Sequence, residues 1–217
     1  MITANTITPT ELELPDQHLV LHDVSWDFYE HVLEEIGDAR MRVTYSDGSI
    51  EIMAPLQLHD AAGAVIAELL AFLTFDRKIP RSQFGSSTFR RKDMQKGLEP
   101  DRCFYFRENA NKVRGMKRFD PLIHPAPDLA IEIDITRSSI PRQPVYAALG
   151  VPELWRFDNR HLTVLLLTNS GEYAVSTVSK ALPFLPMDPF EGFVWRMLSE
   201  DQVIVLEDFR DWVRTLP

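Results

Sequence analysis

Pro127-Asp-Leu-Ala-Ile-Glu-Ile-Asp-Ile-Thr136 is a stretch in which acidic and apolar side chains alternate. Successive side chains of a β-strand point to opposite faces of the sheet. The isoleucines and Leu129 are therefore expected to face a core, while the acidic residues share the other face: Asp128, Glu132 and Asp134. Three carboxylates on one face repel one another unless water or a cation covers them. The stretch predicts either an edge strand with a solvated acidic face or a strand that holds a metal ion.

A second acidic segment precedes this strand. Residues 98–106 are predicted to form another strand, and they contain Glu99 and Asp101. If the two strands are neighbours, Asp101 and Glu132 meet at one place, where they could hold Mg²⁺ together with water and substrate phosphate. Such an ion activates water and stabilises charge on a phosphate. Arg142, on the helix predicted to follow the strand, is the nearest basic side chain that would neutralise a transition state.

The composition indicates a globular chain with a core of its own. The 217 residues are 45% hydrophobic and 25% charged, values typical of soluble proteins. The single cysteine, Cys103, excludes a disulfide framework and a cysteine-based zinc site. The net charge of −9 argues against a general electrostatic binder of nucleic acid. Because the chain has neither an apolar run long enough to span a membrane nor a signal peptide, a cytoplasmic protein without a membrane partner is expected.

The order of predicted elements indicates a mixed α/β fold. The turn Asp47-Gly48 between two alternating runs predicts a hairpin, and apolar residues at helical spacing predict helices. The predicted helices are residues 24–36, 59–75, 141–150 and 203–213, and the predicted strands are residues 41–45, 49–53, 83–91, 98–106, 128–135, 154–157, 162–167 and 173–178. Residues 107–126 are predicted to be a polar connection and residues 181–190 a loop with three prolines. Residues 1–22 are expected to form a flexible arm and residues 23–217 a single domain.

Three motifs carry a resemblance to a known family. They are Glu99-Pro-Asp101, Ala126-Pro-Asp-Leu-Ala-Ile-Glu132 and Tyr146-Ala-Ala-Leu-Gly-Val-Pro-Glu-Leu-Trp155. Their combination resembles the Uma2 family of restriction-endonuclease-like proteins, which have the PD-(D/E)XK nuclease fold. The resemblance implies a restriction-endonuclease-like α/β core, with a central mixed β-sheet flanked by helices and an N-terminal helix–hairpin extension. It also implies Mg²⁺- or Mn²⁺-dependent hydrolysis of DNA, with Asp101 and Glu132 as the metal ligands.

The chain departs from the nuclease pattern at its basic residue. The lysine that the pattern has two positions after Glu132 is replaced by Asp134, and the family's usual lysine four residues before Tyr146 is Arg142 here. Arginine keeps the charge and can clamp a phosphate, but it does not deprotonate and is a poor general base. Gln143 and Tyr146 also resemble the Gln-x-x-Tyr pair that follows the active-site strand in some nucleases of this fold. The predicted catalytic residues are therefore Asp101, Glu132, Arg142 and Gln143.

A basic segment lies in the middle of this acidic chain. Residues 85–118 carry ten lysines and arginines against four acidic residues, a local charge of +6. The segment is either a wall that contacts phosphates beside the carboxylates or an ordinary solvated surface. Phe104, Tyr105 and Phe106 are expected to pack in the core rather than to stack on bases. His59, at the start of its helix, is expected to be a surface or capping residue, and no role is predicted for Glu68.

Three functions fit these features. The first is a metal-dependent DNA endonuclease. The second is a weakened nuclease-fold protein that binds nucleic acid or protein without cutting, which Arg142 and the acidic net charge favour. The third is a structural oligomeric domain, for which residues 150–155 and the aromatic helix 203–213 would supply the apolar contacts of a homodimer.

Overall fold

A computed structural model describes residues 17–37, 39, 41–54, 57–85, 87–134, 138–158 and 161–217. These residues form two β-sheets and six helices. The helices are α1 Trp26–Ile36, α2 Gln57–Asp76, α3 Arg107–Lys112, α4 Arg142–Ala148, α5 Met187–Ser199 and α6 Gln202–Val213. The strands are β1 Gln17–Leu21, β2 Arg42–Ser46, β3 Ser49–Ala54, β4 Arg81–Phe84, β5 Phe89–Arg91, β6 Lys96–Leu98, β7 Arg102–Phe106, β8 Leu129–Ile133, β9 Glu153–Phe157, β10 Leu162–Leu167 and β11 Tyr173–Ser176.

The larger sheet has the strand order β11-β10-β9-β8-β7-β4. Strands β8 and β9 are parallel and the other neighbours are antiparallel, which confirms the predicted central mixed sheet flanked by helices. Leu129, Ile131 and Ile133 of β8 share a core with residues of α2, α5 and α6, as the alternation predicts. The edge-strand alternative is wrong, because β8 has a partner strand on each side. Its other face is also covered, since Ala130 packs with residues of α4.

The smaller sheet is built on the predicted hairpin and has the order β1-β3-β2-β6-β5. Asp47 and Gly48 have φ values of 48° and 83°, as a type I′ turn requires, so the hairpin prediction is confirmed. Helix α1 packs against this sheet, and the rings of Tyr29 and Tyr45 stack with 5.0 Å between their centroids. Gly97 on β6 lies beneath Tyr29, where an added Cβ would come within 2.8 Å of Tyr29 Cζ. Only glycine therefore lets β6 approach α1 this closely.

The chain crosses between the two sheets at two places where the sequence predicts one continuous strand. Residues 83–91 divide into β4 of the larger sheet and β5 of the smaller one. Residues 98–106 divide into β6 and β7, and Pro100, which has no N–H to donate to a strand partner, lies at the break. Both single-strand predictions are wrong, because alternation does not reveal which sheet a strand joins. The second crossing places Asp101 at the junction of the two sheets.

Two helices lie where the sequence predicts none. Helix α5 begins at Met187, inside the predicted loop 181–190. It accommodates Pro189 because N–H groups of a first helical turn have no partner within the helix. Helix α3 forms within the predicted connection 107–126. Both of these predictions are wrong over the helical residues, whereas α2 and α6 lie where helices are predicted.

The N-terminal part of the described chain is paired. Residues 17–21 of the predicted arm form β1, which pairs antiparallel with β3. Residues 1–16 lie outside the described residues, and the division into an arm and a single domain stays a prediction. In the described ranges, no helix combines the length and the apolar character needed to cross a membrane.

Candidate active site

Asp101 directly precedes β7, and Glu132 lies on the neighbouring strand β8. Strand β7 pairs antiparallel with β8 so that Arg102 faces Ile131, and continuing this register by one residue would bring Asp101 opposite Glu132. Directly opposed residues of an antiparallel pair project to the same face. The predicted meeting of the two acidic segments therefore occurs. The solvated acidic face that was one alternative for the strand of Glu132 is not found, since Glu132 is 7% exposed and Asp101 is 1% exposed.

Both oxygens of Asp101 have partners within the chain. Asp101 Oδ2 accepts a hydrogen bond from the Ile133 backbone N–H at 2.8 Å. Asp101 Oδ1 lies 3.3 Å from Nε of Arg42 on β2, and Arg42 is itself buried. This ion pair joins the two sheets. Arg42 is a site residue that the sequence does not predict, since nothing near the hairpin indicates that its side chain meets a carboxylate 59 positions away.

Glu132 is held from helix α4. The Tyr146 hydroxyl donates to Glu132 Oε1, and Arg142 Nη1 lies 3.1 Å from Glu132 Oε2. Arg142 Nη2 also donates to the backbone carbonyl oxygen of Glu99. Arg142 and Tyr146 reach one carboxylate because residues four apart lie on the same face of a helix. The structure thus brings together the predicted residues Asp101, Glu132 and Arg142.

Burial sets the electrostatics of these acids. It raises the pKa of Glu132 well above the usual glutamate value, while the positive charge of Arg142 opposes the rise and the negative charge of Asp101 adds to it. Burial also raises the pKa of Glu99, against a 2.8 Å hydrogen bond from the Thr88 hydroxyl and the charges of nearby arginines. A cation close to these carboxylates would offset their mutual repulsion.

A cavity of about 520 Å³ opens beside Glu132. Its lining comprises Met53, Glu132, Ile133, Asp134, Ser138, Ile140, Pro141, Arg142, Gln143, Pro144, Leu154 and Arg156. The side chain of Gln143 is exposed within this lining. It can therefore contact a molecule in the cavity directly, independently of Glu132. Asp134, at the position of the nuclease lysine, pairs with Arg156 at 2.6 Å.

The loop before α4 is tied to the smaller sheet. Glu51 on β3 is 3% exposed and accepts hydrogen bonds from the Ser138 hydroxyl and from the Ser139 backbone N–H. Through Glu51 the smaller sheet fixes one wall of the cavity and the start of the helix that carries Arg142. Residues 135–137 lie outside the described residues.

Other acidic candidates lie away from the site. Asp128 Oδ2 accepts from the Phe106 N–H and Oδ1 from the Asn109 side chain, both at 2.7 Å, at the opposite end of β8. Glu68 is exposed on α2, which packs on the other face of the sheet. The side chain of His59 lies outside the described residues, so its expected surface or capping role stays a prediction.

The basic segment 85–118 does not form an unopposed positive wall. Arg90 lies 3.4 Å from Glu30, and Lys92 lies 3.1 Å from Asp27. Both acids belong to α1, outside the segment. Further ion pairs join Arg91 to Asp93 and Lys96 to Asp47. The three acids from outside the segment, Glu30, Asp27 and Asp47, thus oppose half of the local charge of +6. Phe104, Tyr105 and Phe106 are buried as predicted.

Most of the aromatic and apolar side chains that were candidates for a dimer interface pack inside the chain, while Val203 and Ile204 at the start of α6 are exposed. Val151, Leu154 and Trp155 are each at most 1% exposed. In α6, Phe209 and Val213 are fully buried in the core shared with α2 and α5. These residues are not available to a second copy, and a homodimer stays a prediction.

The described acids offer a pair of carboxylates, and no larger cluster, to a metal ion. Within residues 17–217, apart from the gaps given above, no group of three or more His, Cys, Asp or Glu is placed to hold a metal ion. Asp101 and Glu132 form a pair of interacting acids, and carboxylate oxygens are the ligands that hard divalent cations such as Mg²⁺ prefer. Mg²⁺ commonly uses one or two protein carboxylates and keeps several waters. The pair therefore fits Mg²⁺ or Mn²⁺ with two protein ligands.

The comparisons with known proteins give the family. A family model described as "Uma2: Putative restriction endonuclease" matches residues 26–198. The chain belongs to the Uma2 family. The Uma2 match includes Asp101, Glu132 and Arg142 together with β7, β8 and α4, which confirms the predicted family and its restriction-endonuclease-like fold.

A solved structure from Anabaena variabilis, described as "a putative nuclease belonging to DUF820", is similar to this Uma2 chain. The two share 16% sequence identity with a TM-score of 0.45, and the similarity covers 79% of this chain and 90% of that one. Among curated proteins, no match was found.

Proposed function

We propose that this Uma2 protein is a metal-dependent endonuclease that hydrolyses phosphodiester bonds of DNA. The observation that carries the proposal is the buried pair Asp101 and Glu132 where β7 and β8 are neighbours, with Glu132 in the wall of an open cavity. Asp101 and Glu132 would hold Mg²⁺ or Mn²⁺. The bound ion would activate a water molecule and stabilise negative charge on the phosphate.

The chain's own residues would prepare the site for a phosphodiester. Tyr146 and Arg142 fix the orientation of the Glu132 carboxylate, as supporting residues do for metal ligands. Arg142 also keeps a permanent positive charge beside the place of reaction. Gln143 would hydrogen-bond a phosphate oxygen or the attacking water. The cavity of about 520 Å³ is within the usual size range of ligand pockets, about 300–1,000 Å³.

Removing the metal is the direct test of this proposal. Purified protein is expected to nick or linearise supercoiled plasmid in Mg²⁺ or Mn²⁺, and EDTA should abolish the reaction because the ion supplies the activated water. The measurement is the rate of loss of supercoiled plasmid on agarose gels. Glu132→Gln protein purified in parallel controls for contaminating nuclease. Absence of cleavage with either metal, or cleavage that persists in EDTA, counts against the proposal.

A second candidate function is binding of nucleic acid or protein without cleavage. The contact between Arg142 and Glu132 favours it, because the guanidinium occupies Glu132 Oε2 and cannot act as a base. In this case the arginine would act as a built-in counter-ion and turnover would be slow or absent.

Arg142→Lys separates the two functions. Lysine presents a compact, titratable ammonium in place of the fixed guanidinium fork. Its salt bridge with Glu132 would be weaker, and its amine, once deprotonated, could act as a general base. Because general acid–base catalysis contributes about 10²–10⁴-fold, we expect cleavage to rise by about tenfold or more. The same plasmid assay measures it, with Arg196→Lys on α5 as the matched control. An unchanged or lower rate would show that Arg142 does not limit turnover.

A further inference from the structure

Arg156 lies on the same face of the larger sheet as Glu132. Strand β9 runs parallel to β8 with Arg156 as the register partner of Glu132. The flanking residues Trp155 and Phe157 belong to the core on the opposite face, so the Arg156 side chain points to the side where α4 lies. Neighbouring strands are about 4.8 Å apart. Arg156 is therefore anchored one strand away from the candidate metal ligand.

The three arginines of the site differ in their access to the cavity. The side chains of Arg42, Arg142 and Arg156 are 7%, 12% and 40% exposed. Arg42 is occupied by Asp101 at the sheet junction. Arg142 is occupied by Glu132 and by a backbone carbonyl oxygen. Arg156 lines the cavity and is the arginine of this group that a molecule in the cavity can reach most readily.

Asp134 holds Arg156 in place from one side. Arg156 Nε and Nη2 lie 2.8 and 2.6 Å from the same oxygen, Asp134 Oδ2. The Asp134 backbone N–H donates to the Phe157 carbonyl oxygen at 2.7 Å, which fixes the aspartate beside β9. The guanidinium has five N–H donors, so this pairing leaves part of its fork for another acceptor. A guanidinium fork matches the oxygens of a phosphate.

We propose that Arg156, held by Asp134, binds a backbone phosphate of the DNA substrate next to the phosphate that is cut. This inference rests on the proposed function. It also assigns the path of the DNA strand along the cavity, from Arg142 on α4, across Glu132, to Arg156 on β9. It also gives Asp134 a role at the position where the nuclease pattern has lysine, because the aspartate orients the arginine that contacts the substrate.

The test is DNA binding by Arg156→Gln in a Glu132→Gln background, which would not cut the probe. The probe is a fluorescent duplex oligonucleotide, and anisotropy gives Kd at several NaCl concentrations with Mg²⁺ present. Loss of one charged contact should weaken binding about tenfold. Each phosphate contact contributes about 0.9 to the slope of log K against log salt, so the slope should fall by about that amount. A purely structural defect would not change the slope in this way.

Two further variants make the result specific. Arg196→Gln removes the same charge from an arginine that also pairs with carboxylates, Glu200 and Asp208, on the face of the sheet away from the cavity. It should leave Kd and the slope unchanged. Arg156→Lys keeps the charge without the fork, so it should restore the slope and only part of the affinity. This variant also serves if Arg156→Gln does not fold.

The outcomes distinguish this inference from the function on which it rests. If the Glu132→Gln parent binds DNA with a clear salt dependence and Arg156→Gln binds equally well with the same slope, the role of Arg156 is overturned while the proposed function stands. An equal loss of DNA affinity in Arg196→Gln overturns the role of Arg156 as well, because the loss would then reflect the protein's overall charge rather than a specific contact. If the parent shows no salt-dependent DNA binding, both are overturned.

Discussion

Replacing Glu132 with glutamine should lower metal-dependent cleavage of plasmid DNA by on the order of 10³-fold. The carboxylate is one of two proposed protein ligands, and metal-ion catalysis supplies several kcal/mol of transition-state stabilisation, where each 1.36 kcal/mol is a factor of ten in rate. Glutamine has the same shape and can still accept the hydrogen bond from Tyr146, so the change removes mainly the charge. Single-turnover cleavage and calorimetric titration of Mn²⁺ measure the two consequences, loss of rate and loss of binding.

Folding should survive this substitution. Because burial raises the pKa of Glu132 above the usual glutamate value, the favourable contribution of this group to stability is present at low pH and is lost as pH rises through the raised pKa. A neutral amide loses the ion pair with Arg142 but also removes a buried charge that is costly to keep, and Arg142 retains the Glu99 carbonyl oxygen as a partner. Because these effects oppose each other, we expect the thermal midpoint to stay within about 5 °C, or about 2 kcal/mol for a chain of this size. Glu68→Gln, at an exposed site on α2, is the matched control and should cleave at the wild-type rate. Wild-type cleavage by Glu132→Gln would refute the site assignment.

Asp101→Ala should instead destabilise the fold. It removes the carboxylate paired with the buried side chain of Arg42 and the acceptor of the Ile133 N–H. Breaking a buried ion pair from one side costs about 3–5 kcal/mol, which would lower the thermal midpoint by on the order of 10 °C. Thermal melts followed by circular dichroism measure the fall in the midpoint, and urea titrations measure the loss in free energy of unfolding. If Asp101 were an exposed metal ligand, its removal would leave the stability of the fold unchanged.

A double variant tests the cause of that loss. Arg42→Met with Asp101→Leu removes both charges together, and replacing a buried pair by apolar residues is often neutral or stabilising. Most of the stability lost in Asp101→Ala should therefore return, while cleavage stays absent because a metal ligand is missing. A wild-type melting midpoint for Asp101→Ala would contradict the structural role of the ion pair. A double variant no more stable than Asp101→Ala would assign the loss to the hydrogen bond with Ile133 instead.

Local periodicity accounts for the correct predictions. The alternation in residues 127–136 was enough to predict the strand and its apolar face, since the period of a strand is a property of its own backbone. The helix that carries Arg142 and Tyr146 was predicted from Pro141 at its start and Gly150 after its end, and α4 lies within those bounds. The Asp-Gly turn at residues 47–48 predicted its hairpin because positive φ values favour those residues.

Long-range contacts account for what was missed. Arg42 looked like an ordinary polar residue of a hairpin, because its partner Asp101 is brought to it only by the packing of two sheets. The charge of residues 85–118 looked unopposed because Glu30 and Asp27 lie on α1, far back in the chain. Neither contact leaves a periodic trace in the sequence.

The sequence by itself determined the family, the central acidic strand, and the residues Asp101, Glu132 and Arg142 as chemical candidates. The tertiary structure decided that the two carboxylates lie close together, that both are buried, and that each is already paired with an arginine. It also decided that Asp134 pairs with Arg156 at the edge of the cavity. The reason is that residue type and spacing are local, whereas burial, ion pairing and the pKa of a carboxyl group depend on which distant strands become neighbours.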